Sequence, residues 1–232
     1  MTHSSDKTHL FLFDIDGTLI TSGGAGEYAL KLAIREHFGQ EEGLEGIEIA
    51  GRTDKLITQA VFRKFGADPD PAKVTQFLDT YLGHLAAQLP LKEGRILPGI
   101  IELLEALKAR EEVALALLTG NLARGAELKL THYGVWHYFE FGAYADDHGD
   151  RNQLGPVAQA RALERHGIEF SPERIFILGD TEHDIACGRA IGAKTVAIAT
   201  GSFSSEELAR YQPDFLYEDL SDVAAVISDL LP

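Results

Sequence analysis

The sequence predicts an α/β fold: a doubly wound, mainly parallel, Rossmann-like sheet with an all-helical segment inserted behind its first strand. Three observations carry this. Short apolar runs (LFLF, VALALL, RIFIL, TVAI) alternate with stretches of helical period, as strands buried on both faces of a β-α layer do. Several of those runs end at once in polar residues: Asp14, Thr119-Gly120-Asn121 and Gly179-Asp180. Between the first run and the next lies a long stretch, residues 22–92, in which apolar residues keep a helical spacing.

Taken in order, residues 9–14 (HLFLFD) read as a buried strand. After SGGAG the period turns helical, and Leu30, Ile34, His37 and Phe38 line one face of a helix that stops near Gly39. A second helix starts at Thr53 or Asp54, carries Ile57, Val61 and Phe65, and closes at Gly66. The third spans residues 72–89, with Val74, Phe77, Leu78, Tyr81, Leu82, Leu85 and Leu89 in helical register. From ILPG onward helix and strand alternate: IIELLEALKAR, VALALLTG, LARGAELKLTHYG, FEFGAYA, PVAQARALERHG, RIFILGD, IACGRAIG, TVAIATG. A short helix opens on the capping pair Ser204 and Glu207, and DFLYED is a last strand before a C-terminal helix. The division that follows is a core of residues 1–21 and 93–232 and a helical cap of residues 22–92. An insertion placed just after a strand's C-terminal end stands over the edge where open α/β sheets bind ligands.

The bulk numbers narrow the partners. With 232 residues, 45% hydrophobic and 25% charged, the chain can bury a core without staples. A single cysteine, Cys187, excludes an internal disulfide framework and fits a reducing compartment. The polar start MTHSSDKTH and the short run after it do not read as a signal peptide, and no stretch reads as a membrane span, so a cytoplasmic chain is expected. The formal net charge of −15 repels nucleic acid and anionic membranes, while a small phosphate ester can still bind where a few cations gather. A monomer or a homodimer fits equally well.

The C-terminal ends of parallel strands share one side of a sheet, so Asp14, Asp16, Thr119, Asp180 and Asp184 are expected to converge. Carboxylates gathered in this way are hard to keep ionised without a cation. Oxygen ligands with no matching His or Cys set point to a hard ion, Mg²⁺.

These residues resemble the haloacid dehalogenase superfamily. DIDGT matches its first motif, Thr119 after a buried strand its second, and GDTEHD its fourth; the helical insertion is similar to a C1-type cap. The resemblance implies a Mg²⁺-dependent phosphomonoester hydrolase for a small phosphorylated metabolite, in the manner of phosphoglycolate phosphatases. Asp14 would attack phosphorus and Asp16 would serve as acid and base. Asp14 and Asp180 would hold the metal by side chains, Asp16 by its backbone carbonyl, with Asp184 close by. Thr119, Gly120 and Asn121 would bind phosphate. Residues 139–168 contain no lysine where the family's third motif has one, and Arg151 is the best-placed cation; Lys129 is next, a poor candidate within its helix. Arg52, in GRTD, would face the substrate's far end from the cap.

Competing readings exist for most of these. A phosphomutase of the β-phosphoglucomutase type shares the motifs, whereas a dehalogenase lacks the second aspartate. GAGEYA at residues 24–29 fits a dinucleotide fingerprint but stands ten residues beyond Phe13, so hinge and helix start is the reading preferred. A non-catalytic binding protein would not require an intact acid set. Arg151 would otherwise pair with Asp150 or face solvent, and Asp184 would merely cap a helix. His183 reads as a partly exposed bystander, Cys187 as packing, and His37 as a core or interface histidine.

Overall fold

A computed structural model describes residues 7–40 and 43–231. The first residues of the polar start therefore lie outside the described residues. Six strands form one all-parallel sheet: β1 (His9–Phe13), β4 (Val113–Leu118), β5 (Gly142–Ala143), β6 (Ile175–Gly179), β7 (Lys194–Ile198) and β8 (Phe215–Tyr217), in the order β5-β4-β1-β6-β7-β8. The remaining two, β2 (Ile20–Thr21) and β3 (Arg95–Ile96), make a small antiparallel ribbon.

The continuous apolar runs are explained by burial of both sheet faces. On one face Phe11, Phe13, Leu115, Leu117, Phe176 and Leu178 pack under helices α4 (Ile100–Lys108), α5 (Ala123–His132) and α9 (Val223–Leu230). On the other, Leu10, Leu12, Ala114, Ala116 and Ile177 pack under α6 (Leu154–His166) and α7 (Glu182–Ala190). Alternate residues of one strand thus serve opposite cores, and each large side chain withdrawn from water contributes about 2 kcal/mol. This is the doubly wound arrangement that the alternating runs predict.

Helices α1 (Ala25–Phe38), α2 (Asp54–Lys64) and α3 (Pro71–Gln88) close a cluster of their own around Phe62, Phe77, Leu82 and Leu85, joined by Leu122 from the sheet side. His37 bonds Thr80 Oγ1 at 2.9 Å and stacks edge-on to Phe77, so it is an interface residue between α1 and α3. The ribbon of β2 and β3 ties together the points where the chain leaves for these helices and returns. Short helix α8 (Ser205–Ala209) opens on the expected Ser204–Glu207 capping box.

Two local expectations differ. FEFGAYA pairs fully only at Gly142–Ala143, because the edge strand ends where Tyr144 N turns onto Asp147 Oδ2 at 2.9 Å. Residues 95–96, not read as a strand, pair with 20–21 because the two crossings of the insertion lie side by side.

Candidate active site

Strand order decides what meets. β4, β1 and β6 are neighbours, with Phe13 level with Leu117 on one side and Leu178 on the other. Asp14, Thr119 and Asp180 follow those positions by one or two residues, so they leave the sheet side by side. A tight turn comes next: Leu19 N and Ile20 N both donate to Ile15 O, at 2.9 and 3.1 Å. Gly17 sits at φ 80, where a side chain is strained, and a Cβ there would come within 2.3 Å of Asp180 Oδ2. That glycine lets the first-strand turn press against the third acid.

Asp14, Asp180 and Asp184 are buried, and one carboxylate oxygen of each lies within 4.8 Å of the others. Arg151 stands among them, 6% exposed: Nη2 is 3.0 Å from Asp14 Oδ1 and also bonds Asp184 Oδ1, while Nη1 donates to the Gly51 carbonyl at 2.9 Å. It neither faces solvent nor pairs with Asp150, whose Oδ1 accepts from Asn152 N instead. Asp184 does cap a helix, accepting from Thr181 N and Oγ1 at 3.1 and 2.8 Å, but with its second oxygen it meets Arg151. Cys187 is buried and donates to the Arg151 carbonyl at 3.3 Å; burial pushes its thiol up to about 12, so it packs and stays protonated.

The charges do not balance. Burial lifts Asp14 to about 6, with Arg151 opposing and Asp184 and Asp16 adding to the rise. Burial and then its two acidic neighbours lift Asp180 to about 8. Burial alone would lower Arg151, yet Asp14 and Asp184 more than offset it and hold the guanidinium charged. Three clustered acids share one cation, and their all-oxygen donor set fits a hard metal ion.

Asp16 is different. Its side chain is 42% exposed, and Oδ2 accepts from Asn121 Nδ2 at 2.9 Å and from Lys129 Nζ at 2.5 Å. Lys129 also donates to Asn121 Oδ1 at 2.7 Å, and Asn121 Nδ2 reaches Thr119 Oγ1 at 2.9 Å. Lys129 is therefore a site residue, against the sequence reading. The reading failed on direction: Cα–Cβ bonds in a helix tilt towards its N-terminus, so a lysine on the second turn of α5 reaches back to the strand end.

The helical segment contributes a loop over these groups. Asp54 N donates to Gly120 O at 2.8 Å and Asp54 Oδ2 accepts from Leu122 N at 2.8 Å. A Cβ on Gly120 would lie 2.3 Å from the Arg52 carbonyl, so only glycine allows this approach. Arg52 lines the cleft and pairs with Glu48 at 2.6 Å; Glu48 in turn meets His183 Nε2 at 2.9 Å, so the partly exposed His183 ties this loop to α7. Asp54 and Tyr81, both in the cleft lining, were not singled out from the sequence: the first stood in the quoted GRTD, the second was concealed in an apolar stripe. The cleft encloses about 520 Å³.

Relatives match over nearly the whole chain. A phosphoglycolate phosphatase of Thiobacillus denitrificans is 24% identical, covering 94% of both chains, and the pyrophosphatase PpaX of Anoxybacillus flavithermus is 23% identical, covering 93% of this chain and 95% of its own. The fold is shared with a predicted phosphatase from Clostridium acetobutylicum, at a TM-score of 0.74 with 21% identity over 97% of this chain and all of that one. The family described as haloacid dehalogenase-like hydrolase matches residues 11–198, which bear the acids, Thr119, Arg151 and the helical insertion, and the chain belongs to it.

Proposed function

We propose that this hydrolase is a Mg²⁺-dependent phosphomonoesterase working through an aspartyl-phosphate, with residues 22–92 as its cap. The observation that supports it most is the contrast between two neighbouring aspartates. Asp14 is buried beside Arg151, and Asp16 is half exposed and held by Lys129 and Asn121. In this reading an Asp14 oxygen forms a bond to phosphorus while the ester P–O bond breaks, and Asp16 gives its proton to the departing alkoxide. Water then attacks the same phosphorus, Asp16 takes the water's proton, and free phosphate leaves with Asp14 restored. Arg151, Thr119 and the backbone around Gly120 and Asn121 hold the phosphoryl oxygens. Asp14, Asp180, Asp184 and the Asp16 carbonyl would hold Mg²⁺, which supplies charge neutralisation for the phosphoryl group when bound.

Phosphate release from p-nitrophenyl phosphate tests this. Release is expected with Mg²⁺, to stop on chelation, and to be absent in Asp14→Asn. Turnover by the chelated protein or by Asp14→Asn would overturn the reading. Isomerisation of a sugar phosphate without phosphate release would replace it with a mutase.

A further inference from the structure

Arg151 stands among the acids of the cleft, and the two other cations of its lining are each held by a carboxylate. The lining also carries Leu30, Ile49 and Ile57 from the helical segment, with Tyr81 and Asp54. Arg52 is neutralised by Glu48 at 2.6 Å, and Lys129 by Asp16 at 2.5 Å. Glu27, also on the lining, is matched by Lys31 at 2.7 Å. While Asp16 is ionised, these pairs leave one carboxylate over, that of Asp54, which shares the field of Lys129. Its Oδ2 takes the Leu122 N–H, which leaves Oδ1 as an open acceptor, and the Tyr81 hydroxyl has no protein partner among the described residues. Lys129 Nζ and the Tyr81 hydroxyl come together beside Gly26, both within 4 Å of where a Cβ would stand there. The formal charge of −15 adds a repulsive background.

We propose that the leaving group this site accepts bears no second negative charge: it is a neutral or ammonium-bearing alcohol that donates hydrogen bonds to Asp54. A carboxylate or a second phosphate there would be desolvated against Asp54 and, among the described residues, would have to compete with Glu48 and Asp16 for the cations of the lining. This sets the chain apart from the substrates in its relatives' names, phosphoglycolate and pyrophosphate, whose leaving groups are anionic. Burial lifts Asp54 to about 6, the Lys129 charge opposing, so near neutral pH its carboxylate carries charge.

The inference rests on the phosphatase reading, and the test separates the two. Phosphoethanolamine and 2-phosphoglycolate are nearly the same size and release aliphatic alcohols, but one ends in ammonium and the other in carboxylate. With Mg²⁺ at near-neutral pH, kcat/KM should favour phosphoethanolamine by about tenfold or more, the scale of one close like-charge contact exchanged for an attractive one. Glycerol phosphate should fall between them. Each compound is also ranked by its competition against p-nitrophenyl phosphate, so one that binds without turnover is still placed. Asp54→Asn, which keeps an oxygen for Leu122 N–H, should shrink the preference several-fold. Failure of phosphoethanolamine to outrank phosphoglycolate in turnover or competition, while p-nitrophenyl phosphate is hydrolysed, overturns the inference and leaves the phosphatase reading standing. No hydrolysis of p-nitrophenyl phosphate overturns both.

Discussion

Arg151 and Lys129 are both buried cations that face aspartates, and their neighbourhoods are built in opposite ways. Arg151 serves three acids, Asp14, Asp180 and Asp184, packed out of water; burial, and after it the neighbouring acids, lifts Asp14 to about 6 and Asp180 to about 8. Lys129 serves one acid, with Asn121 alongside, and Asp16 keeps an open side towards the cleft. The first neighbourhood lacks a positive charge that a divalent ion would supply. The second is complete as it stands and fixes one carboxylate in place while leaving it accessible. One centre is short of positive charge; the other holds a paired carboxylate at the edge of the cleft.

Substitutions should separate the two in graded fashion. Asp14→Asn should reduce phosphate release to background on every substrate, and Asp180→Asn should raise the Mg²⁺ needed for half-maximal rate by more than about tenfold; normal metal dependence in Asp180→Asn would remove it from the acid-rich centre. Arg151→Ala should lower turnover on the order of a hundredfold, the scale of losing one preorganised donor, with Arg151→Lys recovering only part because it lacks the planar fork. Kinetics unchanged by Arg151→Ala would leave the acids without their assigned partner.

Lys129→Met should cost less, about tenfold on alkyl phosphates, and less again on p-nitrophenyl phosphate, whose leaving group needs no proton. Equal losses on both would show that Lys129 supports the fold and not Asp16. The smallest effect concerns stability. The folded values of Asp14 and Asp180 are raised, so their contribution is full below the ordinary value of 3.8 and is lost as pH rises through about 6 and 8. In chelator, Tm should therefore fall across that window, and Mg²⁺ should flatten the slope; parallel curves would argue against a metal among these acids.

How much of this was legible beforehand depends on whether position or direction mattered. Strand runs ending in Asp14, Thr119 and Asp180 located one sheet edge, because parallel strands end on one side whatever their order. Arg151 was found by its place before α6, where the loop must run past the same edge. Lys129 was set aside because its position in mid-helix said nothing of the lean of its side chain. Asp54 and Tyr81 depend on how the helical segment settles over the sheet, a long-range contact between residues 54 and 122 that no local pattern encodes. The β2–β3 ribbon escaped notice for the same reason: two residues a side form a strand only when their partner is brought in from some seventy-five positions away.

The division of labour between Asp14 and Asp16 is tested most directly by acid-quenching the protein during turnover of p-nitrophenyl phosphate with Mg²⁺ and mapping phosphorylation by mass spectrometry. The account predicts one phosphoryl group on Asp14, more abundant in Asp16→Ala, where breakdown has lost its base, and absent in Asp14→Asn. Turnover with no phosphorylated Asp14, or with the phosphoryl group on another residue, would contradict it.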